Sequence, residues 1–154
     1  MQKCINIYNH PVFQQRLKAI EAAEADRKFC LHNLAHALDT ARIGYIIILE
    51  NKLNIDKELF YSAALLHDIG RCSGIPHNEA GAALAREIMP QCGFTESETE
   101  LVSNAILGHR SNDKTGIFSS VLYTADKKSR VCFRCPAADE CYWENEKRNN
   151  EIDI

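Results

Sequence analysis

Segment 31–51 constrains the fold more than any other part of the sequence. Leu31, Leu34, Leu38, Ala41, Tyr45 and Leu49 recur at helical spacing, while another face of the same helix carries His36, Thr40, Ile43 and Ile47. A surface helix has one apolar stripe, so a helix apolar on two faces belongs in the middle of a bundle. Helical signals recur on both sides of it. Pro11 suits the first position of a helix over 11–25. Asp56 can cap a helix over 57–69, which Gly70 is placed to end. Pro76 opens a helix reaching about residue 90. Thr95 and Glu98 can form a capping box for a helix ending near Gly108, and a further helix covers 117–130. Strand signals are weak. The expected fold is all-α, a single-domain bundle of five to seven helices.

A chain of 154 residues can build one domain with a real core and is short for two. The net charge of −3 gives no pull toward a nucleic-acid polymer or an anionic membrane. The longest apolar stretch, around Tyr45-Ile46-Ile47-Ile48-Leu49, falls far short of the ~20 residues that span a bilayer. The first residues lack the apolar core of a signal peptide, so the expected compartment is the cytoplasm. Seven cysteines are many for this length. In a reducing compartment they read as core residues, metal ligands or reactive thiols before disulfides.

The chemical signal is Ala63-Ala64-Leu65-Leu66-His67-Asp68-Ile69-Gly70-Arg71, an apolar helix ending in adjacent His and Asp, then Gly, then a cation. Burying an imidazole and a carboxylate there is costly unless something pairs them. A nitrogen and a hard oxygen suit divalent Fe, Mn, Zn, Ni or Co. His36 lies one helix upstream and Asp126 late in a helix downstream, within Tyr123-Thr124-Ala125-Asp126.

This order of His, His-Asp and Asp on separate helices resembles the HD superfamily of metal-dependent phosphohydrolases. The resemblance runs over 29–130, leaving 131–154 as a cysteine-rich, polar tail. It implies that His36, His67, Asp68 and Asp126 bind one metal. His77 and His109 fall where HD-GYP phosphodiesterases and HD-type dinucleoside tetraphosphate hydrolases hold a second metal, which the HD aspartate bridges to the first. The chain lacks a clear Gly-Tyr-Pro motif, and Ala125-Asp126-Lys127 looks more like the tetraphosphate hydrolases. His32 and His36 lie four apart, on one side of a single expected helix. His36 matches the family's first ligand, being followed four residues later by Thr40-Ala41. His32 is then read as facing the substrate or supporting a ligand. Lys127 and Lys128 read as a solvated helix end.

The reaction so implied is hydrolysis of a phosphate ester or anhydride, in a nucleotide or dinucleotide, by a metal-activated water. Asp68 and Arg71 are the catalytic candidates. His32, Arg71, Arg110 and Arg130 are the candidates for holding substrate. One or two divalent metals are the cofactors, and a phosphorylated small molecule is the expected partner. Oligomer formation is left open. Two other readings stand beside this one: a diiron oxygenase on the HD fold, and a nucleotide sensor without catalysis.

The tail carries Cys132-Phe133-Arg134-Cys135 and then Cys141. Two thiolates at this spacing can chelate one ion, Cys141 can supply a third ligand, and Cys30 is the first candidate for a fourth. The cofactor there would be zinc or an iron–sulfur cluster. The competing reading is small core thiols packed under Phe133, Tyr142 and Trp143.

Overall fold

A computed structural model describes residues 1–108 and 116–152. Seven α-helices follow one another in it: α1 (Gln2–Asn9), α2 (Pro11–Ala23), α3 (Leu34–Glu50), α4 (Lys57–Leu66), α5 (His77–Gln91), α6 (Glu96–Gly108) and α7 (Ile117–Lys128). Three 3-10 turns form the tail: Cys132–Arg134, Ala138–Glu140 and Asn145–Lys147. Among the described residues there is no strand, so the all-α expectation holds.

The expected caps form. Pro11 opens α2. The Asp56 side chain accepts from the Leu59 N–H at 2.8 Å. Thr95 and Glu98 close a reciprocal capping box, with Glu98 accepting from the Thr95 N–H at 2.7 Å and Thr95 Oγ1 from the Glu98 N–H at 3.2 Å.

Several boundaries differ from expectation. The sequence reading did not include α1. Its anchors are long-range: Cys4 and Ile7 are buried, the amino terminus pairs with Glu58 at 2.9 Å, and Lys3 pairs with Glu98 at 3.1 Å. Helix α3 starts at Leu34, not residue 31, because Asn33 caps it by accepting from the His36 N–H at 3.1 Å. His32 therefore precedes the helix and does not share a helical side with His36. Helix α4 ends at Leu66, and 67–72 is a chain of turns. Helix α7 ends at Lys128, leaving Arg130 beyond it.

Helix α3 packs against both α4 and α7, α5 pairs with α6, and α6 also meets α4 and α7. Gly44 lets α3 approach α4 closely, since a Cβ there would collide with the Phe60 ring. Phe60, Leu66, Ile88, Ile106 and Leu122 are fully buried between these helices. No described helix is long and apolar enough to cross a membrane.

Candidate metal centre

Three helices bring the expected ligands to one point. His36 lies in the first turn of α3, His67 caps the C-terminal end of α4, Asp68 follows it, and Asp126 lies near the end of α7. His67, Asp68 and Asp126 are buried. His67 Nε2 stands 3.3 Å from His36 Nε2 and 3.1 Å from Asp68 Oδ2. His36 Nε2 stands 3.5 Å from Asp68 Oδ2 and 3.4 Å from Asp126 Oδ1, and His67 Nε2 stands 3.9 Å from the latter.

The outer ring nitrogens fix which nitrogens face inward. His67 Nδ1 donates to the Ala64 carbonyl at 2.7 Å. Ser129 Oγ donates to the Asp126 carbonyl at 2.8 Å and so accepts from His36 Nδ1 at 3.0 Å. In their neutral forms both imidazoles then point an Nε2 lone pair at the same point, as metal-ligating histidines do. Two lone pairs and two carboxylates facing each other in a buried space repel unless a cation lies between them. Bonds of about 2.1 Å at 90° to 109° separate ligand atoms by about 3.0 to 3.4 Å, and most of these distances fall near that range. Among the described residues, His36, His67 and Asp68 form a set that could hold an ion. Asp126 lies outside that set, with its Oδ1 facing the two histidines from α7.

The same crowding sets the charges. Burial opposes a proton on His67, but the charge and hydrogen bond of Asp68, with Asp126 behind, raise its pKa to about 9. Burial would raise the Asp68 carboxyl, but His67, the His36 hydrogen bond and Arg71 hold it well below the usual carboxylate range. Asp126 is lowered in the same way, against burial, by His67 and Lys127. A divalent ion bound through His67 Nε2 would have to displace that proton. Titration calorimetry at about pH 7.5, in buffers of different ionisation enthalpy, should record about one proton released per ion bound. Binding without proton release would mean that His67 is already neutral.

Asp68 divides its oxygens between two sides. Oδ1 faces away from the cluster, 3.0 Å from Arg71 Nε and 3.5 Å from Nε2 of His77, the first residue of α5. His77 thus stands beside the expected bridging carboxylate. His109 and Arg110 lie outside the described residues.

A cavity of about 490 Å³ lies over the centre, with His32, Arg71, His77 and Arg130 in its walls. Glu24 clamps His32, accepting from its backbone N–H and from Nδ1 at 2.7 Å each. Burial lowers the His32 pKa, Asp68 opposes that, and Arg71 adds to it. Arg130 stacks on Trp143, its guanidinium carbon 4.5 Å from the ring centroid. Lys127 is not a solvated helix end: its Nζ lies 2.6 Å from Asp126 Oδ2. Sequence reasoning also missed Ser129 and Glu24. Ser129, three residues after Asp126, offered a weak local signal, and Glu24 offered none.

The chain belongs to the HD domain family, whose model matches residues 33–144. That match, with the structural likeness below, puts it in a family of metal-dependent phosphohydrolases. An uncharacterized protein of Clostridium beijerinckii is 42% identical over 150 residues, 95% of each chain. A bifunctional uridylyltransferase/uridylyl-removing enzyme of Gluconobacter oxydans is 47% identical over 53 residues, which is 34% of this chain and 6% of that protein. The crystal structure of a predicted HD superfamily hydrolase from an uncultured Thermotogales bacterium superposes with a TM-score of 0.66 at 26% identity, covering 89% of this chain and 79% of that one.

Proposed function

We propose that the protein hydrolyses a phosphate ester or anhydride of a nucleotide or dinucleotide. The observation that carries this reading is the cation-lined cavity over the His-Asp cluster, with Arg71 beside Asp68 and aromatic rings at its edge. Bound there, a divalent ion would polarise a phosphoryl oxygen and acidify a water. His36, His67, Asp68 and Asp126 would hold it, and His77 with His109 would serve a second ion. Asp68, whose Oδ1 Arg71 holds, would orient the attacking water. Arg71 and Arg130 bind phosphate oxygens and offset the charge that builds on them. Phe29, Tyr142 and Trp143 line the same cavity and offer faces on which a base can stack. The local similarity to enzymes named for adding and removing uridylyl groups supports a nucleotide substrate.

Phosphate release from nucleoside mono-, di- and triphosphates, dinucleoside polyphosphates and an aryl phosphate, with Mn, Fe, Co or Ni supplied, tests the reading. Turnover of a nucleotide is expected. Silence on the whole panel would sink it in favour of the oxygenase or the sensor, and oxygen uptake with iron would single out the oxygenase. Arg71→Ala should lower kcat/KM by about 100-fold even with the divalent ion supplied at saturation. Arg71→Lys should recover part of the loss, since Lys keeps the charge but not the planar fork.

A further inference from the structure

We propose that Cys30, Cys132, Cys135 and Cys141 together hold one iron–sulfur cluster, separate from the His-Asp centre. All four line a single cavity of about 360 Å³ under the tail. Cys132 and Cys135 lie within electrostatic reach of Cys30. Burial raises the Cys30 pKa, Arg130 lowers it, and Cys132 and Cys135 raise it again. The four sit where a CxxC turn, a following cysteine and a remote one converge, and iron–sulfur proteins also combine clustered ligands with a distant one.

Two of the three rings that would cover core thiols are exposed, and Trp143 alone is half-buried. Phe133 is 40% exposed and Tyr142 69% exposed. The tail from 132 to 150 buries Ala137 and little else. Ordering a backbone costs about 1–2 kcal/mol per residue, which one alanine cannot offset. The tail is nonetheless tied down by polar bonds. Arg148 donates to the carbonyls of Ala138, Cys141 and Trp143, and Asn149 to those of Lys127, Lys128 and Arg130. Lys28 pairs with Glu140, and Phe29 meets the edge of Tyr142, so the Cys30 segment closes on the tail. A cross-link at the centre of these bonds would add to their hold on so polar a segment.

Spacing favours a cluster over a single zinc. A tetrahedral zinc with bonds of about 2.3 Å brings every pair of its sulfurs to about 3.8 Å. No three of these four sulfurs lie within 4.8 Å of one another. In a cluster the thiolates are shared among several irons and stand further apart. Charge agrees. A cluster with four thiolates is anionic, and Arg130, Arg134 and Arg148 line the cavity against one carboxylate, Asp39. Arg130 and Arg148 engage an aromatic ring and backbone carbonyls, neutral partners that leave both charges in place. Cys30, Cys141, Arg130 and Trp143 also line the cavity over the His-Asp centre, so the cluster would brace one of its walls.

The test is iron and acid-labile sulfide analysis of the full chain, purified anaerobically and also reconstituted with ferrous iron and sulfide. About two or four sulfides per chain are expected, with visible absorption, and the count sets the cluster type. Iron at the His-Asp centre carries no sulfide, so Asp68→Ala should keep the full sulfide content. Cys135→Ser and Cys30→Ser should each lose it, and Cys72→Ser, at an exposed cysteine outside the cavity, should not. Because a cysteine variant could unfold the tail, the wild-type sulfide count decides by itself. Colourless wild-type protein without sulfide, whether it holds one zinc or has freely titrating thiols, would overturn the proposal. Full sulfide in Cys30→Ser would overturn the four-ligand assignment.

Discussion

Asp68→Ala should leave the helical bundle standing and strip the protein of its divalent ion. Asp68 is the carboxylate on which the most partners converge. Its Oδ2 faces His67 at 3.1 Å and His36 at 3.5 Å, and its Oδ1 faces Arg71 at 3.0 Å and His77 at 3.5 Å. Removing it takes away one ligand, the shared oxygen between two sides, and the main charge that holds a proton on His67. Burial then favours neutral His67, but the remaining donors have lost half of their negative charge. Changing a mere supporting residue costs about 10- to 100-fold in metal affinity, so loss of a ligand should exceed that. Divalent metal measured after gel filtration, beyond any iron matched by acid-labile sulfide, should fall to background, and phosphate release should fall with it. Far-UV circular dichroism should stay near the wild type, because α3, α4 and α7 meet through apolar contacts such as Phe60 against Phe118. Wild-type metal content with full activity would refute the site.

The candidate ligand set was legible because an adjacent His and Asp after an apolar helix are costly to bury unpaired, and because the order His36, His67-Asp68, Asp126 resembles the HD superfamily. The residues that orient them were not legible. Ser129 and Glu24 are ordinary surface types in the sequence, and their roles depend on which helix ends meet. The same holds for the fold. Asp56, Thr95 and Pro11 announce helix starts through local bonds. Helix α1 does not, since its hold on the bundle comes from Glu58 and Glu98, far along the chain. The stripe starting at Leu31 concealed the start of α3, because periodicity extended through residues that the Asn33 cap excludes. In the tail the cysteines stood out, but its closure rests on Arg148 and Asn149 donating to carbonyls, bonds with no sequence period.

Gly70→Ala should destabilise the protein more than any other single-methyl addition next to the centre. A Cβ at Gly70 would collide with the His77 carbonyl oxygen and the Gly81 backbone nitrogen, and would lie 2.9 Å from the Ala80 carbonyl carbon. All three are backbone atoms of α5, which cannot rotate aside as a side chain does. The helix must shift, and it is packed against α6, where a Cβ at Gly81 would already meet Ile106 at 3.1 Å. Overpacking of this kind costs about 1–3 kcal/mol, and rigid neighbours put this site at the upper end. At roughly 2–4 °C per kcal/mol for a chain of this size, Tm should fall by about 5–10 °C. The cost is one of space, since Gly70 does not adopt a positive φ. Gly74→Ala separates the two causes: Gly74 has φ +77° and open space around its Cβ position, so its substitution meets backbone strain alone. Because His77 opens α5, the Gly70 variant should also change metal stoichiometry selectively. The ion held by His36, His67, Asp68 and Asp126 should remain, while any ion that depends on His77 should bind more weakly. A Tm within a degree or so of wild type would show that the HD turn and α5 are not packed as closely as this geometry requires.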